Sequence, residues 1–432
     1  MIPGLTRGRR PWRQGWLFAL GLLLLLPTLL EARVYIDITS PGFREIPIAV
    51  YDFMGSREGE EIARIVGEDL SFSGIFSPID KDAFIETPLP VFDPANWLPL
   101  GVELVMKGSV SIEGERIDLT MHLYDVVEAR KVLQKRYTAE LRFLRVLAHS
   151  ISNDIYRRIT GQDGVFRTKI AFLGVKGDRR HLYISDWDGK RLRETGITGT
   201  NLLRPHWQKD GKRLLYSDAR GMRWGVFLLD FQKRKEFRIY SSAGINLAGD
   251  FLPDGKGFLF SSSIRGTPDI YIYNLATRKK RRITRWLGIE ISPVISPDGK
   301  EIAFVSDHGG SPQIYRMGLD GRGLRRVTFE GSYNTSPDWS PRGDRIAYAG
   351  RVNGRNQIFL VRPDGTDPVQ LTERGNNEEP VFSPDGRFIA FASDRTGRKA
   401  VYIMRADGSG QKRISPKGMR AFGPSWSPNK NF

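Results

Sequence analysis

One polar column recurs along the C-terminal part of the chain. Asn246, Glu290, Asn334 and Asn377 each stand seven residues before the proline of a Pro-x-Gly turn. Asn201 occupies the matching segment upstream, and a second set of polar residues, Asp218, Asp307, His308 and Asp394, falls between the later strands of the same units. Amides and carboxylates in a ring can donate to and accept from a peptide backbone, so the chemistry they suit is docking. For any single member the alternative is an Asn or Asp that caps a turn.

Bond-breaking chemistry is poorly provided for. The chain has no cysteine, which excludes disulfides, thiolate nucleophiles, Cys-zinc sites and Fe–S ligation. The five histidines, His122, His149, His181, His206 and His308, are scattered without metal-ligand spacing. No Gly-x-Ser-x-Gly, His-Glu-x-x-His or phosphate-binding glycine loop occurs. The sequence therefore points to a binding protein without cofactor or metal. The alternative is an exported, hydrolase-like propeller enzyme with carboxylates in its channel.

The elements that would position these residues come from a repeat. The turn glycines Gly211, Gly255, Gly299, Gly343 and Gly386 are 44, 44, 44 and 43 residues apart. In register with them run an alternating apolar stretch (Ile302-Ala303-Phe304), an aliphatic–aromatic pair (Ile314-Tyr315) and a Thr-ended stretch (Arg326-Val327-Thr328). A proline then opens the next strand. Four short antiparallel strands, A to D, per ~44 residues is the signature of a propeller blade. Residues 168–195 supply B, C and D strands without an A strand, and residues 422–427 supply an A strand alone. Together they complete one blade, which predicts six blades and a ring closed by the C-terminal strand. Closure removes the sheet edges that would otherwise pair with other chains. The A–B and C–D turns lie on one face. The D–A and B–C loops lie on the other, which places both polar sets on one face.

Upstream the repeat is absent. Residues 46–51, 102–110, 117–125 and 132–137 read as strands, and residues 57–70 and 141–159 as helices, the second ended by Gly161. The expected organisation is a signal over residues 1–32, a small α/β domain with a mixed sheet over 33–161, a connection over 162–167 and the propeller over 168–432. Arg7, Arg9, Arg10 and Arg13 precede an apolar run from Trp16 to Leu30, the layout of a secretory signal; an uncleaved anchor is the alternative. Losing residues 1–32 lowers the formal charge from +17 to +14. Basic clusters at Lys233-Arg234-Lys235 and at residues 278–282 fall on C–D turns and D strands. They read either as a solvated rim or as an attraction for anionic envelope polymer or lipid.

These features together resemble the TolB family of the Tol–Pal envelope system. The specific stretches are residues 68–76 (Glu68-Asp69-Leu70-Ser71-Phe72-Ser73-Gly74-Ile75-Phe76), residues 159–171 with Gly164, Phe166, Arg167 and Thr168, and Pro312-Gln313-Ile314-Tyr315. The resemblance implies a periplasmic, monomeric, non-enzymatic scaffold that binds the lipoprotein Pal and the protein TolA, with room for other envelope proteins. It implies no nucleic-acid partner, no stable membrane insertion after signal cleavage, and roles in outer-membrane integrity, cell division and protein import. TolA binding would fall on Arg33, Val34, Tyr35, Ile36, Asp37, Ile38, Thr39 and Ser40. On pattern alone that stretch is simply the first strand of the domain. Pal binding would fall on the face carrying Asn201, Asn246, Glu290, Asn334, Asn377, Asp218, Asp307, His308 and Asp394.

Overall fold

A computed structural model describes residues 44–89 and 91–429. The signal-like segment and the expected TolA-binding strand, residues 33–40, lie outside the described residues.

The N-terminal domain contains β1 (Ile46–Val50), α1 (Glu58–Phe72), β2 (Phe76–Pro78), β3 (Leu104–Glu113), β4 (Arg116–Asp125), β5 (Arg130–Glu140) and α2 (Leu144–Thr160). The sheet order is β2-β1-β3-β4-β5. β1 runs parallel to β2 and β3, and the other pairs are antiparallel, so the sheet is mixed as expected. β2 has only three residues, too few to leave a period in the sequence. α2 starts later than its apolar spacing suggests, because Leu141–Phe143 form a 3₁₀ turn before it.

Strand alternation decides what covers each face of this sheet. Ile48, Val50, Leu104 and Met106 face the core formed with the helices, where α1 contributes Ile62, Val66 and Leu70 and α2 contributes Leu147, Ile151 and Ile155. Ala49, Tyr51 and Val105 face the other way, under Trp97 and Phe84 of the long segment between β2 and β3. Lys107 shares that second face and is fully buried. Its ammonium is paired with Glu86 and donates to the carbonyls of Thr87 (3.0 Å) and Val91 (2.8 Å). The ammonium also lies 4.9 Å from the centre of the Tyr51 ring. Burial, with Glu86 nearby, pushes the Tyr51 hydroxyl up to about 12.

Six four-stranded sheets follow, each ordered from an inner strand to an outer edge. The inner strands of blades two to six are Leu203–Trp207, Asn246–Phe251, Glu290–Ile295, Asn334–Trp339 and Asn377–Phe382. Blade one takes Arg420–Trp426 as its inner strand, beside Lys169–Lys176, Arg179–Asp186 and Arg193–Gly199. The C-terminal strand thus closes the ring, with Phe422 opposite Leu173 and Trp426 opposite Ile170. Trp426 Nε1 donates to Thr168 Oγ1 at 2.7 Å, fastening the closure. The turn glycines have φ between 67° and 78°, the conformation that requires glycine in this column.

Blades cannot cover their own faces, and the core clusters show how they solve this. Val294, Ala303 and Ile314 of blade four pack with Trp339, Ile346 and Tyr348 of blade five. The connection after α2 is likewise more than a tether. Val165 and Phe166 are buried in one core that joins α1 and α2 to Trp187 of blade one and Phe388 of blade six. Phe72 of α1 sits 5.0 Å from the Trp187 ring and 5.3 Å, stacked, from Phe388.

Candidate docking face

The N-terminal domain rests on the face made by the A–B and C–D turns. Arg405, leading into the C–D turn of blade six, donates to the carbonyls of Ser71 (3.1 Å) and Phe72 (3.2 Å). Arg387, just after the A–B turn of that blade, reaches Gln162 at 3.1 Å. The tight turns that look like repetitive scaffold in the sequence are therefore the seat of the other domain.

A polar cluster sits in this junction. His149 of α2 and Asp69 of α1 are both buried, 2.7 Å apart through Nδ1, and Ser152 Oγ donates to the same Asp69 oxygen at 2.7 Å. His149, Asp186 and Asp188 each offer an atom within 4.8 Å of the others. Asp186 is already paired with Lys169 and Arg191, and Asp188 with Arg145. A divalent ion would add two charges to carboxylates that are neutralised, so a proton on the imidazole suits the site better. Burial raises Asp69 and opposes charge on His149. The carboxylates of Asp69, Asp188 and Asp186 outweigh that burial and raise His149 overall.

The opposite face carries the D–A and B–C loops, where both polar sets were expected. Their placement differs from a solvent-facing ring. Asn246, Glu290, Asn334 and Asn377 are buried at the first residue of each inner strand. Asn334 Nδ2 donates to Gln313 Oε1 (2.7 Å) and to the carbonyl of Glu330 (2.8 Å). Asn377 repeats this with Gln357 (2.7 Å) and the carbonyl of Arg374 (3.0 Å). Asn246 Nδ2 donates to the carbonyl of Trp224 at 3.1 Å. The three asparagines fasten the inner strands of blades three, five and six to the third strand of the preceding blade. Leu202 and Ala421, which fill the column in the remaining blades, are equally buried.

Asp218 is buried as well, with Arg220 on its carboxylate at 3.2 Å. Asp307 and Asp394 are half-buried and accept from the backbone N–H of Ile289 and Asn376, both at 2.7 Å. They clamp a B–C loop to the D–A loop beside it. Gly288 is required there, since a Cβ would lie 2.4 Å from Asp307 Oδ1. Only Asn201 and His308 of the expected residues are exposed. The polar column is buried because seven residues before a turn is the start of a strand, where the side chain points into the joint between blades.

This face also exposes apolar side chains, among polar and charged neighbours such as Arg265, Arg285, Glu330 and Arg374. Met222 and Ile264 lie on B–C loops, and Ile245, Leu287 and Ile289 on D–A loops, with Leu287 99% exposed. They belong to blades two to four and the loops joining them. Large apolar side chains gathered on one face mark a surface that a protein partner can cover. In the sequence they lie in short loops outside the repeat's strands and leave no periodic signal.

The channel offers less to a reacting substrate than its carboxylates suggest. Asp250 accepts from the N–H of Ile295 (3.1 Å), Asp338 from Phe382 (2.7 Å) and Glu379 from Gly423 (2.7 Å). Each braces the inner strand of the next blade. His206 bonds Asp250 at 3.0 Å, and burial pushes Asp338 up to about 7. A cavity of about 430 Å³ lies at the turn end of the channel, lined by His206, Asp250 and Asp338 together with Trp207, Trp339 and Trp426. The basic clusters stay on the outer edge. Lys233, Arg234, Lys235, Arg278, Lys279, Lys280 and Arg281 are exposed. Charges on outer strands discourage edge pairing with other sheets.

A six-bladed propeller with a small mixed α/β domain packed on the turns of blades one and six defines the class of protein. Residues 156–430 match the family model of the TolB beta propeller domain, and residues 34–132 match that of the TolB amino-terminal domain. The chain belongs to the TolB family. Among curated relatives, the Tol-Pal system protein TolB of Alkalilimnicola ehrlichii is 32% identical over 239 residues, covering 53% of this chain and 56% of that one. The Tol-Pal system protein TolB of Paramagnetospirillum magneticum is 35% identical over 233 residues, covering 50% and 51%. The chain thus spans about half the length of the curated relatives it matches. The crystal structure of TolB from Acinetobacter baumannii superposes with a TM-score of 0.82 at 29% identity, covering 89% of this chain and 97% of that one. Among the described residues no helix is long and apolar enough to cross a membrane.

Proposed function

We propose that this chain is a periplasmic, non-enzymatic scaffold of the Tol–Pal system. It docks the Pal lipoprotein on its D–A/B–C face and engages TolA through residues 33–40, supporting outer-membrane integrity and envelope constriction at division. The observation that carries the reading is the division of labour between the propeller's faces. On the turn face, blades one and six are held by the N-terminal domain through Phe72, Arg405 and the Trp187 contact. The loop face bears Met222, Ile245, Ile264, Leu287 and Ile289.

The polar residues keep a role in this reading, but an indirect one. Asn246, Glu290, Asn334, Asn377, Asp218, Asp307 and Asp394 hold the loops in shape, while Asn201, His308 and the apolar loop residues meet the partner. Segment 33–40, with Val34, Ile36 and Ile38 alternating with Tyr35 and Asp37, suits addition as a strand to a partner's sheet. The channel carboxylates are committed to bracing strands, which favours a scaffold over an enzyme. The test is capture of Pal and TolA by the mature chain. Deleting residues 33–40 is expected to abolish TolA binding and leave the propeller folded; retained TolA affinity would refute that assignment.

A further inference from the structure

The blade joints provide an internal comparison. Asp269, Gln313 and Gln357 hold matching positions on the third strands of blades three, four and five, opposite Ser262, Ser306 and Gly350 of the second strands. Each stands across a joint from the first residue of the next inner strand, Glu290, Asn334 and Asn377 respectively. In the latter two joints an Asn amide donates to a Gln carbonyl at 2.7 Å. The joint between blades three and four has a carboxyl group on both sides. Asp plus Glu contains as many methylenes as Gln plus Asn, so the reach across the joint is preserved. What changes is that two carboxylates have no hydrogen to share.

The surroundings do not resolve that conflict. Asp269 and Glu290 are fully buried. Arg282 from the outer strand donates to Asp269 Oδ1 at 2.7 Å; Thr284 reaches the same oxygen at 3.4 Å and also bonds the Glu290 carboxyl group, and the buried Tyr271 hydroxyl faces Asp269 from the same strand. Ser306 from the second strand of blade four reaches Glu290 Oε1 at 3.4 Å. From the neighbouring loop Asp307 adds a further negative group, and His308 turns to the Trp286 ring at 5.9 Å. Glu290 Oε2 and Asp269 Oδ2 are left buried without a hydrogen-bond partner.

We propose that Glu290 and Asp269 share one proton across this joint, with Glu290 Oε2–H donating to Asp269 Oδ2, and that the joint loosens when the proton leaves. One hydrogen satisfies both orphaned oxygens and reproduces the single donated bond of the neighbouring joints. Arg282 is bonded to Asp269, whereas among the described residues no cation is paired with Glu290. Burial raises Glu290 to about 7, with Asp269 and then Asp307 adding to the rise. Its ordinary value is 4.5. A raised acid holds its proton more tightly in the folded state, so its contribution is complete below about pH 4.5 and is lost as pH climbs through about 7. The loop affected is residues 285–289, which carries Leu287 on the open face and is tied down by the N–H groups of Ile289 and Glu290. The joint is thus a pH-sensitive anchor for one loop of the propeller, independent of which partner docks there.

The test compares the full chain with Glu290→Gln and with the double variant Asp269→Gln/Glu290→Asn, which copies the neighbouring joints. Amide exchange is followed at Ile289 and Glu290 from pH 5 to pH 8.5, corrected for intrinsic rates, together with Tm. Protection in the natural chain should fall about tenfold or more over this range, since each unit of pKa shift is worth a factor of ten. It should stay nearly constant in both variants, and Glu290→Gln should gain in Tm over the natural chain only at the alkaline end. Parallel pH profiles for the natural chain and Glu290→Gln would overturn the proposal. So would rescue of the natural chain at pH 8.5 by millimolar Ca²⁺, which would show the carboxylates holding a cation instead.

Discussion

Asn334 Nδ2 donates to Gln313 Oε1 at 2.7 Å, and through this contact the inner strand of blade five is fastened to the third strand of blade four. Gln313 is held in turn, donating to the carbonyl of Gly331 at 3.0 Å and accepting from Thr328 Oγ1 at 2.6 Å. The network is buried and closes on itself, so it fixes the shape of a D–A loop without presenting polar atoms to a partner. A ring of Asn and Glu that looks like a recognition surface works one layer beneath it.

Asn334→Leu should therefore act on stability. It leaves the Glu330 carbonyl without its side-chain donor and strips Gln313 Oε1 of one of its two donors, at a cost of about 1–3 kcal/mol. Urea unfolding should show this loss. Asn246→Arg with Asn334→Arg should lower Tm strongly, because both arginines would enter closed joints. A double arginine variant of unchanged Tm would mean these side chains face solvent.

Removing residues 420–432 should unfold blade one. The truncation takes away the strand opposite Lys169–Lys176 and the Trp426–Thr168 bond. Trp426→Ala alone should cost about 3–5 kcal/mol, the usual range for a large buried aromatic. Unchanged thermal stability of the truncated chain would contradict closure by this strand.

Lys107→Ala should leave the half-buried Glu86 beside Tyr51 with no cation, at a cost below the ~3–5 kcal/mol of breaking a fully buried pair. The segment between β2 and β3 should open first. Limited proteolysis should then cut within residues 79–101 in the variant and spare the natural chain.

The junction between the domains should respond to pH through His149. Its folded pKa lies above the ordinary 6.5, so its contribution is complete below about pH 6.5 and lost as pH rises through the folded value. Urea titrations should show His149→Gln well below the natural chain in stability at pH 6, with the gap narrowing toward pH 9. A constant gap would mean that the imidazole stays neutral throughout.

The parts of this molecule that repeat are legible in its sequence. Turn glycines at intervals of about 44 residues, a B–C–D fragment at one end and a lone A strand at the other are enough to count blades and predict the closure. Helices α1 and α2 show as apolar stripes. Contacts made once, between distant segments, leave no period. Asp69 and His149 are 80 residues apart, and Asp186 and Asp188 reach the same junction from the propeller. Glu86 meets Lys107 from an irregular loop. Solvent exposure is also hidden, because a strand's first residue and a loop's last residue have the same neighbours in sequence. That single step separates buried Glu290 from exposed Ile289, and it moves the candidate contact residues from the polar column to Leu287 and Ile245.

Coverage of the D–A/B–C face by a protein partner is tested most directly by calorimetry of a soluble form of Pal binding to the full chain. Leu287→Lys with Ile245→Lys should weaken affinity about tenfold or more, roughly 1.4 kcal/mol, at unchanged Tm. The control Lys279→Glu with Arg281→Glu on the outer edge should bind as the natural chain does. Undiminished binding by the Leu287/Ile245 variant, or loss of binding in the outer-edge control, would contradict docking on this face.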